Sequence, residues 1–337
     1  MIKNLITGIG GFVASHLADL LIEKNEEVYG TYRWFEETNR INHLIGHKNF
    51  HMIPMDLNDL SSCLKAIEIK PDYIFHLGAQ SYVSESFDYP HATITTNTLG
   101  TLNLLEAIRI IRNGTKKETK AGLDISYYEF DPVIHVCSSS EVYGLVEEKD
   151  IPIKESQKFN PSNPYAVGKV GTDMLALLYY TNYGLKTIRT RMFTHTGPRR
   201  SMMSAECNFA KQISLIEKDK QEPILKHGNL ESIRTWADVR DAVRAYYLLV
   251  RKCKYGEVYN IGGNTTKKIG EMLDTLISFS NKKDRIIKQL DPKLLSPYDG
   301  TLQIPDCSKF KNETGWNPQI KFETTMQDLL DWWREKV

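Results

Sequence analysis

The sequence predicts an α/β fold in which a doubly wound parallel sheet of the Rossmann type is followed by a smaller C-terminal α/β lobe. Short apolar runs alternate with helical patterns through the first half of the chain, and this alternation is typical of βαβ units. A glycine-rich turn joins the first apolar run to the first helix, as in a Rossmann sheet. Because crossovers between parallel strands are right-handed, these units predict a doubly wound sheet.

The hydrophobic periodicity places the elements in order along the chain. A first strand ends at residues 5–7, and further strands are expected at 28–31, 50–53, 73–77, 133–138, 187–193 and 258–261. Helices are expected at 11–25, 93–111, 165–183, 208–218, 237–251, 269–279 and 324–337. The polar stretch 113–131 is expected to be a surface insertion before the fifth strand.

The composition excludes several classes of protein. The 337 residues carry 43 Lys and Arg against 42 Asp and Glu, and this near-zero balance argues against nucleic acid or an anionic membrane as a partner. No apolar run approaches the roughly eighteen residues of a membrane span, and the N-terminus lacks a signal-peptide pattern. The five cysteines are dispersed without a CxxC pair, which predicts free thiols in the cytoplasm. No carboxylate or cysteine cluster joins the histidines, so no metal site is predicted.

The turn after the first strand has the composition of a dinucleotide-binding loop. Gly8, Gly10 and Gly11 allow the backbone to approach a pyrophosphate, and Phe12 and Val13 open a helix whose N-terminus supplies N–H donors. The alternative is a tight βα turn that binds nothing. With a strand before it and a helix after it, the motif favours dinucleotide binding.

The end of the second strand bears on the choice of cofactor. An acidic residue there would bind the ribose 2′-hydroxyl of NAD, but the sequence has Arg33 and, further on, Arg40. An arginine pairs well with a 2′-phosphate, so NADP is the expected cofactor and NAD the second choice. The alternative is that Arg33 is an ordinary surface arginine.

Tyr165 and Lys169 lie one helical turn apart, and therefore on one face of the expected helix. A free phenol titrates near 10, so a tyrosine that acts as a base at neutral pH needs its pKa lowered by about 3 units. A lysine ammonium and a cationic nicotinamide ring can lower it. The alternative is a surface pair without function.

A hydroxyl-rich segment follows the fifth strand, at the sheet edge where α/β proteins bind ligands. Ser139 and Ser140 offer hydroxyls that can hold a substrate oxygen, and Glu141 offers a carboxylate that can remove a carbon-bound proton. For the preceding Ser138, a role in capping a turn is equally open.

Together these motifs resemble the extended short-chain dehydrogenase/reductase family, nearly from end to end of the chain. Within it the sequence is most similar to the GDP-mannose 4,6-dehydratases, through four stretches: Arg33 to Ile41, Ser139-Ser140-Glu141, His195 to Arg200 and Gly228 to Trp236. The sequence departs from that pattern in three places. Ser139 replaces a threonine, Thr194 replaces an asparagine, and residues 296–299 lack the arginine common before the proline.

The resemblance implies a nucleotide-sugar 4,6-dehydratase that converts GDP-mannose or a related GDP-sugar to the 4-keto-6-deoxy sugar. Tyr165 would take the O4 proton, Lys169 would lower the tyrosine pKa and bind the ribose, and Ser139 would bind O4. Glu141 would remove the C5 proton, and Ser140 or Glu141 would assist the loss of water. The hydride would move from C4 to C6 by way of the cofactor, which would end each cycle unchanged.

The resemblance also assigns binding residues. Besides the glycine loop, Tyr165 and Lys169, the cofactor would contact Arg33, Asp56, Leu57, Leu77, Gly78 and Ala79. The nucleotide sugar would contact Gln80, Ser81, Thr194, Arg200, Lys211 and Arg234. Homodimers or homotetramers are expected, because family members pair through the helices that correspond to residues 93–111 and 165–183.

The regular alternation of strands and helices loosens after about Pro198, which divides the chain in two. Residues 1–195, with later segments around 236–262, are expected to form the NAD(P)-binding Rossmann domain. Residues 196–337 are expected to form mainly the nucleotide-sugar-binding lobe. No low-complexity linker separates them.

Several alternatives stay open. A GDP-4-keto-6-deoxymannose reductase or a C4 epimerase needs the same tyrosine, lysine and serine but no carbon base at Glu141. A UDP-glucuronate decarboxylase carries a similar Thr-Ser-Glu run and needs extra arginines, which the Arg199-Arg200 pair could supply. A non-catalytic, NADP-sensing protein on the same fold is another possibility. The motifs do not decide which sugar the substrate carries, or whether its base is guanine or uracil.

Overall fold

The structure, a computed structural model, describes residues 1–35, 37–118, 126–295 and 302–337. It divides into two compact units. The first comprises Met1–Val142, Asn163–Arg191 and Val243–Tyr259, and the second comprises Tyr143–Ser162, Met192–Ala242 and Asn260–Val337. No helix in these described ranges is both long enough and apolar enough to cross a bilayer.

The strands are, in chain order, β1 (Lys3–Thr7), β2 (Glu27–Tyr32), β3 (Phe50–Pro54), β4 (Tyr73–His76), β5 (Lys116–Glu118), β6 (Ser126–Tyr128), β7 (Val133–Ser139), β8 (Lys186–Met192), β9 (His195–Thr196), β10 (Ile224–His227), β11 (Ile233–Asp238), β12 (Val258–Ile261), β13 (Thr265–Lys268), β14 (Ile287–Leu290) and β15 (Leu302–Gln303). The helices are α1 (Phe12–Glu23), α2 (Leu60–Ile67), α3 (Val83–Asp88), α4 (Pro90–Ile94), α5 (Gly100–Gly114), α6 (Pro164–Tyr183), α7 (Ala205–Glu217), α8 (Val239–Lys252), α9 (Ile269–Ser278), α10 (Ser308–Thr314) and α11 (Phe322–Lys336).

The central sheet has seven strands in the order β12-β8-β7-β4-β1-β2-β3. Its pairs β3–β2, β2–β1, β1–β4 and β4–β7 are parallel, and Leu5 lies opposite Tyr29 on one side and Ile74 on the other. The strand order changes direction between β1 and β4, which makes the switch point where α/β sheets bind ligands. The predicted doubly wound parallel sheet is confirmed.

The core of the first unit lies between this sheet and its helices. Strands covered on both faces are near-continuous apolar runs, and burying each large apolar side chain contributes about 1.5–3 kcal/mol. The fully buried apolar residues at this interface include Leu5, Ile74, Ile134, Leu104, Leu105 and Ile108.

The helix expected at residues 93–111 is interrupted. One π-helical turn over Thr95–Leu99 separates α4 from α5. In that turn Thr98 Oγ1 donates to the Gly168 carbonyl of α6 at 3.2 Å, and a Cβ added at Gly171 would lie 2.5 Å from Thr98. The glycines of α6 therefore let the two helices approach closely at the wider turn.

The second unit has its own sheets and core. β11 pairs with β13 in antiparallel fashion and with β15 and β9 in parallel, while β10 pairs with β14. Its buried apolar side chains come from α7, β11, α9 and α11, and include Phe209, Ile213, Trp236, Met272, Leu329 and Leu330.

One segment is divided differently from the sequence expectation. Tyr143–Ser162 belongs to the second unit, although residues 1–195 were expected in the first domain. Asn260 explains the assignment, since its Nδ2 donates to the Ile153 carbonyl at 2.9 Å and its Oδ1 accepts from Tyr143 Oη at 2.6 Å. These bonds join sequence-distant residues and leave no local pattern.

The polar stretch 113–131 carries an antiparallel hairpin of β5 and β6. The middle of this expected insertion, residues 119–125, lies outside the described residues. The same holds for residues 296–299, where the sequence departs from the dehydratase pattern.

Candidate active site

The turn between β1 and α1 is built for close backbone contact. Gly8 has a φ of +70°, and a Cβ added there would lie 2.8 Å from the Cα of Gly78. Gly11 is the N-cap residue of α1, and no side chain caps that terminus. This helix N-terminus has the positive potential that favours an anionic ligand, and the glycine turn fits a pyrophosphate. The other predicted loop residues lie in the same turn: Gly10, Phe12 and Val13.

Two arginines follow β2, and one of them contacts this turn. Arg33 is exposed, and its guanidinium carbon lies 4.8 Å from the centroid of the Phe35 ring. Arg40 is half-buried, and its Nη1 donates to the Gly10 carbonyl at 3.2 Å. Arg40, which the sequence suggested only as a second arginine, thus lies on the glycine turn itself.

Asp56 and Leu57 lie in the loop after β3. Asp56 is half-buried, and its Oδ1 accepts the Asn58 N–H at 2.9 Å. A Cβ added at Gly78 would lie 3.1 Å from the Leu57 side chain. The loops after β1, β3 and β4 are therefore in mutual contact at one edge of the sheet, where the predicted cofactor residues come together.

The loop after β4 is fixed by hydrogen bonds to its backbone. Leu77 and Gly78 donate their N–H groups to Thr7 Oγ1 at 3.0 and 2.8 Å. Further along, Asn97 Oδ1 accepts the Gln80 N–H at 2.8 Å, and Asn97 Nδ2 donates to the Gln80 carbonyl at 3.0 Å. Ala79 lies half-buried between these anchors.

The amide nitrogen of the Gln80 side chain has a hydrogen-bond partner, whereas the amide oxygen has none among the described residues. Its Nε2 donates to the Tyr82 carbonyl at 3.1 Å. Its Oε1 is buried, and no hydrogen-bond donor reaches it from the part of the chain that the structure describes. A buried acceptor of this kind suits a ligand hydroxyl. Ser81 beside it is exposed.

Tyr165 and Lys169 occupy successive turns of α6, and both are almost fully buried. Lys169 Nζ donates to the Cys137 carbonyl of β7 at 2.8 Å, and Ser138 Oγ donates to the Lys169 carbonyl at 3.3 Å. Burial lowers the pKa of the Lys169 ammonium, with a partly offsetting contribution from Cys137. Lys169 is therefore held against the end of β7 as a poorly solvated cation.

Glu141 is held beside the start of α6. Its Oε2 accepts from Asn163 Nδ2 at 3.3 Å, while Asn163 Oδ1 caps the helix by accepting the Ala166 N–H at 2.7 Å. Ser139 Oγ accepts the Glu141 N–H at 3.2 Å, and Ser140 is buried next to it. One asparagine thus positions both the helix of Tyr165 and the carboxylate of Glu141.

A neutral polar cluster surrounds the Lys169 ammonium. Burial, with Lys169 as a further cause, lowers the pKa of His76 on β4 to about 3. The pKa of His135 on β7 also falls to about 3 through burial, and His76 and Lys169 contribute. Cys137 Sγ lies 3.5 Å from Tyr246 Oη of α8. The sequence motifs gave no sign of this cluster, because its members come from two strands and two helices.

The remaining predicted residues lie in the second unit. Thr194 is half-buried after β8, and Arg234 of β11 donates from Nη1 to its neighbour's carbonyl at 3.1 Å. Lys211 of α7 lies with its Nζ 3.5 Å from Met202 Sδ. Arg200 forms an ion pair with the buried Glu206, with Nε 2.8 Å from Oε1. The charge of Arg200 is thus paired with a carboxylate of the protein, whereas the sequence predicted that this arginine contacts the nucleotide sugar.

Comparison with known proteins agrees with these features. A model of the family described as GDP-mannose 4,6 dehydratase matches residues 5–329. A GDP-mannose 4,6-dehydratase of Yersinia enterocolitica is 30% identical over 98% of this chain and 93% of its own. A GDP-6-deoxy-D-mannose reductase of Pseudomonas aeruginosa is 28% identical over 99% of this chain and 98% of its own. The solved structure of RMD from Pseudomonas aeruginosa complexed with NADPH has a TM-score of 0.80 and 26% identity, with 100% of both chains covered.

Proposed function

The chain belongs to the GDP-mannose 4,6-dehydratase family, a family of hydro-lyases, and we propose that it removes water from GDP-mannose or a related GDP-sugar to give the 4-keto-6-deoxy sugar. One observation carries this proposal beyond family membership. The carboxylate of Glu141 is held through Asn163 at the start of the helix that bears Tyr165 and Lys169. A carbon base beside a tyrosine base is what dehydration requires and what reduction does not.

The proposed cofactor is NADP, with NAD as second choice. The glycine turn and the uncapped N-terminus of α1 would bind its pyrophosphate, Asp56 and Leu57 the adenosine, and Leu77 to Ala79 the nicotinamide half. Arg40, which contacts the glycine turn, and the exposed Arg33 after β2 are the proposed partners of the 2′-phosphate. When bound, the nicotinamide ring would supply a hydride acceptor for C4 of the sugar and, once reduced, a hydride donor for C6.

The proposed chemistry uses five side chains of the first unit. Tyr165 takes the O4 proton while Ser139 hydrogen-bonds O4, and Lys169 favours the phenolate by its charge. The C4 ketone acidifies C5, so Glu141 can remove the C5 proton. The C6 hydroxyl takes up a proton, with Ser140 or Glu141 as the acid, and leaves as water. Addition of the hydride at C6 and of a proton at C5 completes the 4-keto-6-deoxy product.

Several further side chains are proposed to bind the nucleotide sugar. In the first unit, the open acceptor of Gln80 and the hydroxyl of Ser81 are proposed to bind the sugar. In the second, Arg234 and Lys211 are the proposed diphosphate ligands, because phosphates need charge-assisted donors. Arg200, which is paired with Glu206, has the weaker claim to this role, and Thr194 is proposed as a further contact.

A homo-oligomer is proposed on the strength of one exposed face. Val167, Met174 and Leu178 share one side of α6 and are 45%, 45% and 43% exposed, and Leu99 before α5 is 49% exposed. Contiguous apolar surface on a folded unit marks an interaction site. We propose that these helices pair with those of a second copy, and that the protein acts in the cytoplasm, where its five cysteines, which form no disulfide, stay reduced.

A reductase of a GDP-4-keto-6-deoxy sugar is the second candidate. The similarity to the Pseudomonas aeruginosa reductase, 28% over nearly the whole chain, favours it. The tyrosine, lysine and serine of the site would serve this reaction equally well. A reductase would leave Glu141 without a chemical role.

The decisive experiment incubates the purified protein with GDP-mannose and a catalytic amount of NADP, followed by mass spectrometry. We expect the sugar nucleotide to lose one water while NADPH does not accumulate, and Tyr165→Phe to abolish the loss. If GDP-mannose stays unchanged and the protein reduces a GDP-4-keto-6-deoxy sugar with NADPH, the protein is a reductase and not a dehydratase.

A further inference from the structure

A buried histidine that the proposed chemistry does not use lies beneath the cofactor loops. His76 is the last residue of β4 and is 3% exposed. Its Nδ1 lies 2.9 Å from Thr7 Oγ1, and its Nε2 lies 3.0 Å from Thr101 Oγ1. Both ring nitrogens are thus engaged with hydroxyls, one at the end of β1 and one on α5.

The neighbouring hydrogen bonds fix where the protons are. Thr7 Oγ1 already accepts the N–H groups of Leu77 and Gly78, at 3.0 and 2.8 Å, which uses both of its lone pairs. Its own proton is therefore donated to His76 Nδ1. The neutral ring then carries its hydrogen on Nε2 and donates it to Thr101 Oγ1.

The bonds continue from Thr101 to the helix that carries the proposed catalytic pair. Thr101 Oγ1 donates to the Asn97 carbonyl at 2.6 Å, and Thr172 Oγ1 of α6 donates to the same oxygen at 2.6 Å. The side chain of Asn97 meanwhile holds the backbone of Gln80 in the loop after β4. An unbroken set of buried hydrogen bonds thus runs from the loops after β1 and β4 to α6.

The charges around His76 favour its neutral form. The titratable groups that face it are Lys169 on α6 and His135 on β7. Burial and the Lys169 ammonium lower the pKa of His76 to about 3. A protonated ring would also place a second N–H against Thr7 Oγ1, whose lone pairs are already occupied.

We infer that His76 is a positioning residue which, as a neutral ring protonated on Nε2, sets the loops after β1 and β4 relative to the helix of Tyr165 and Lys169. That these loops bind the cofactor rests on the proposed function, whereas the tautomer rests on the hydrogen-bond geometry alone. The two parts are therefore tested separately.

The tautomer is tested by NMR on protein labelled with nitrogen-15 in its histidine rings, with His76→Gln to assign the signal. We expect His76 to show a protonated Nε2 and an unprotonated Nδ1, with no titration between about pH 5.5 and 8.5. A ring protonated on Nδ1, or one that titrates in this range, overturns the inference whatever the protein binds.

The positioning role is tested with matched threonine variants. Thr101→Val removes the acceptor of the His76 ring, and Thr101→Ser keeps it. Thr187→Val is the control, because Thr187 Oγ1 is an equally buried donor, to the Ala176 carbonyl at 2.6 Å, outside the network. We expect Thr101→Val to raise the Kd for NADP about tenfold, while Thr101→Ser and Thr187→Val stay near wild type.

Thermal unfolding separates positioning from general stability. Both variants are expected to lower the Tm, and Thr101→Val more than Thr187→Val, because Thr101→Val loses its bonds to the His76 ring and to the Asn97 carbonyl whereas Thr187→Val loses one bond. If both leave the NADP Kd unchanged, or raise it equally, His76 has no positioning role. A wild-type protein that binds neither NADP nor NAD would contradict the proposed function, and the tautomer measurement would still decide on the histidine.

Discussion

Glu141 is the residue that distinguishes dehydration from the other reactions open to this fold. Its carboxylate accepts from Asn163, and its own N–H is bound to Ser139. Glutamine has the same shape and can keep the contact with Asn163, but it cannot remove a proton from carbon. The Glu141→Gln variant therefore isolates the chemical role of the carboxylate from its packing.

We expect Glu141→Gln to lower the rate of water loss by about 10²–10⁴-fold while the Kd for NADP is unchanged. Mass spectrometry of the sugar nucleotide and a fluorescence titration of the cofactor measure the two quantities. Glu147→Gln is the control, since its side chain is 73% exposed and pairs with the similarly exposed Lys149. If Glu141→Gln loses water at the wild-type rate, Glu141 is not the base that removes the C5 proton.

The buried Lys169 ammonium is expected to serve catalysis at the expense of the stability of the fold. Burial lowers its pKa in the folded protein below that of the unfolded chain, so the charged form destabilises the fold at neutral pH. This cost is fully present below the lowered folded pKa and disappears as the pH rises to the unfolded value near 10.4.

We expect Lys169→Met to lower activity by about 100-fold or more and yet to raise the Tm at pH 7. The gain in Tm should shrink as the pH is raised toward 10, because the wild-type lysine then loses its proton. Thermal unfolding of both proteins without ligand, measured across this pH range, tests the sign. A Tm gain that grows with pH would show that the ammonium is stabilised in the fold.

The sequence predicted site residues where the relation between them is local. Tyr165 and Lys169 are one helical turn apart, and Ser139 to Glu141 are consecutive, so their proximity follows from spacing alone. The bond between Asn163 and Glu141 joins residues 22 positions apart, and the ion pair of Arg200 with Glu206 depends on how a loop meets α7. Such partners become visible only when the backbone path is known.

Helix α6 carries two of the five proposed catalytic side chains, Tyr165 and Lys169. Its first turn is capped by Asn163, and Asp173 in its middle is fully buried between Arg189 and Arg191 of β8, with both ion pairs at 2.9 Å. Breaking a buried charge pair costs about 3–5 kcal/mol, so this triad ties the helix firmly to the sheet. The helix therefore presents Tyr165 and Lys169 as part of a rigid element.

The two roles of Asn163 can be separated at the start of this helix. Asn163→Asp keeps the oxygen that caps α6 but places a carboxylate against Glu141, whereas Asn163→Ala loses the cap as well. We expect both variants to lose dehydration by about tenfold or more, and only Asn163→Ala to lose about 1 kcal/mol of unfolding free energy. Wild-type turnover by Asn163→Asp would show that the bond to Glu141 is dispensable.

The secondary-structure elements could be predicted from the sequence only where their residues form a clear periodic pattern. Most predicted strands and helices agree with the structure to within three residues, since each is a long periodic run. Helix α2 was not predicted, because its eight residues are too few to establish a period. The π-helical turn before α5 arises from contacts of Thr98 with α6, and residues 93–111 alone read as one regular helix.

In the described part of the molecule, helix α6 exposes an apolar face. Met174 and Leu178 are close to half exposed on α6, and Leu175, Leu177 and Thr181 line the same groove. The hydrophobic effect disfavours such a surface in a monomer, and a second copy of the same helix would cover it by two-fold symmetry.

We expect the double variant Met174→Glu/Leu178→Glu to lower the molar mass in light scattering from at least a dimer to a monomer. Ile287→Glu is the control, because Ile287 on β14 is 62% exposed and belongs to the second unit. A wild-type protein that is monomeric at micromolar concentration, or a double variant that keeps its mass, would contradict the proposed pairing.

The proposed reaction is an internal hydride transfer coupled to water loss. A deuterium label at C4 of GDP-mannose traces the transferred hydride directly. The protein is incubated with the labelled sugar nucleotide and catalytic unlabelled NADP, and the product is analysed by mass spectrometry and NMR. The mechanism predicts a dehydrated product with deuterium at C6, one solvent-derived hydrogen at C5 and no label retained in the cofactor beyond one turnover. Deuterium that remains at C4, or that accumulates in free NADPH, would contradict it.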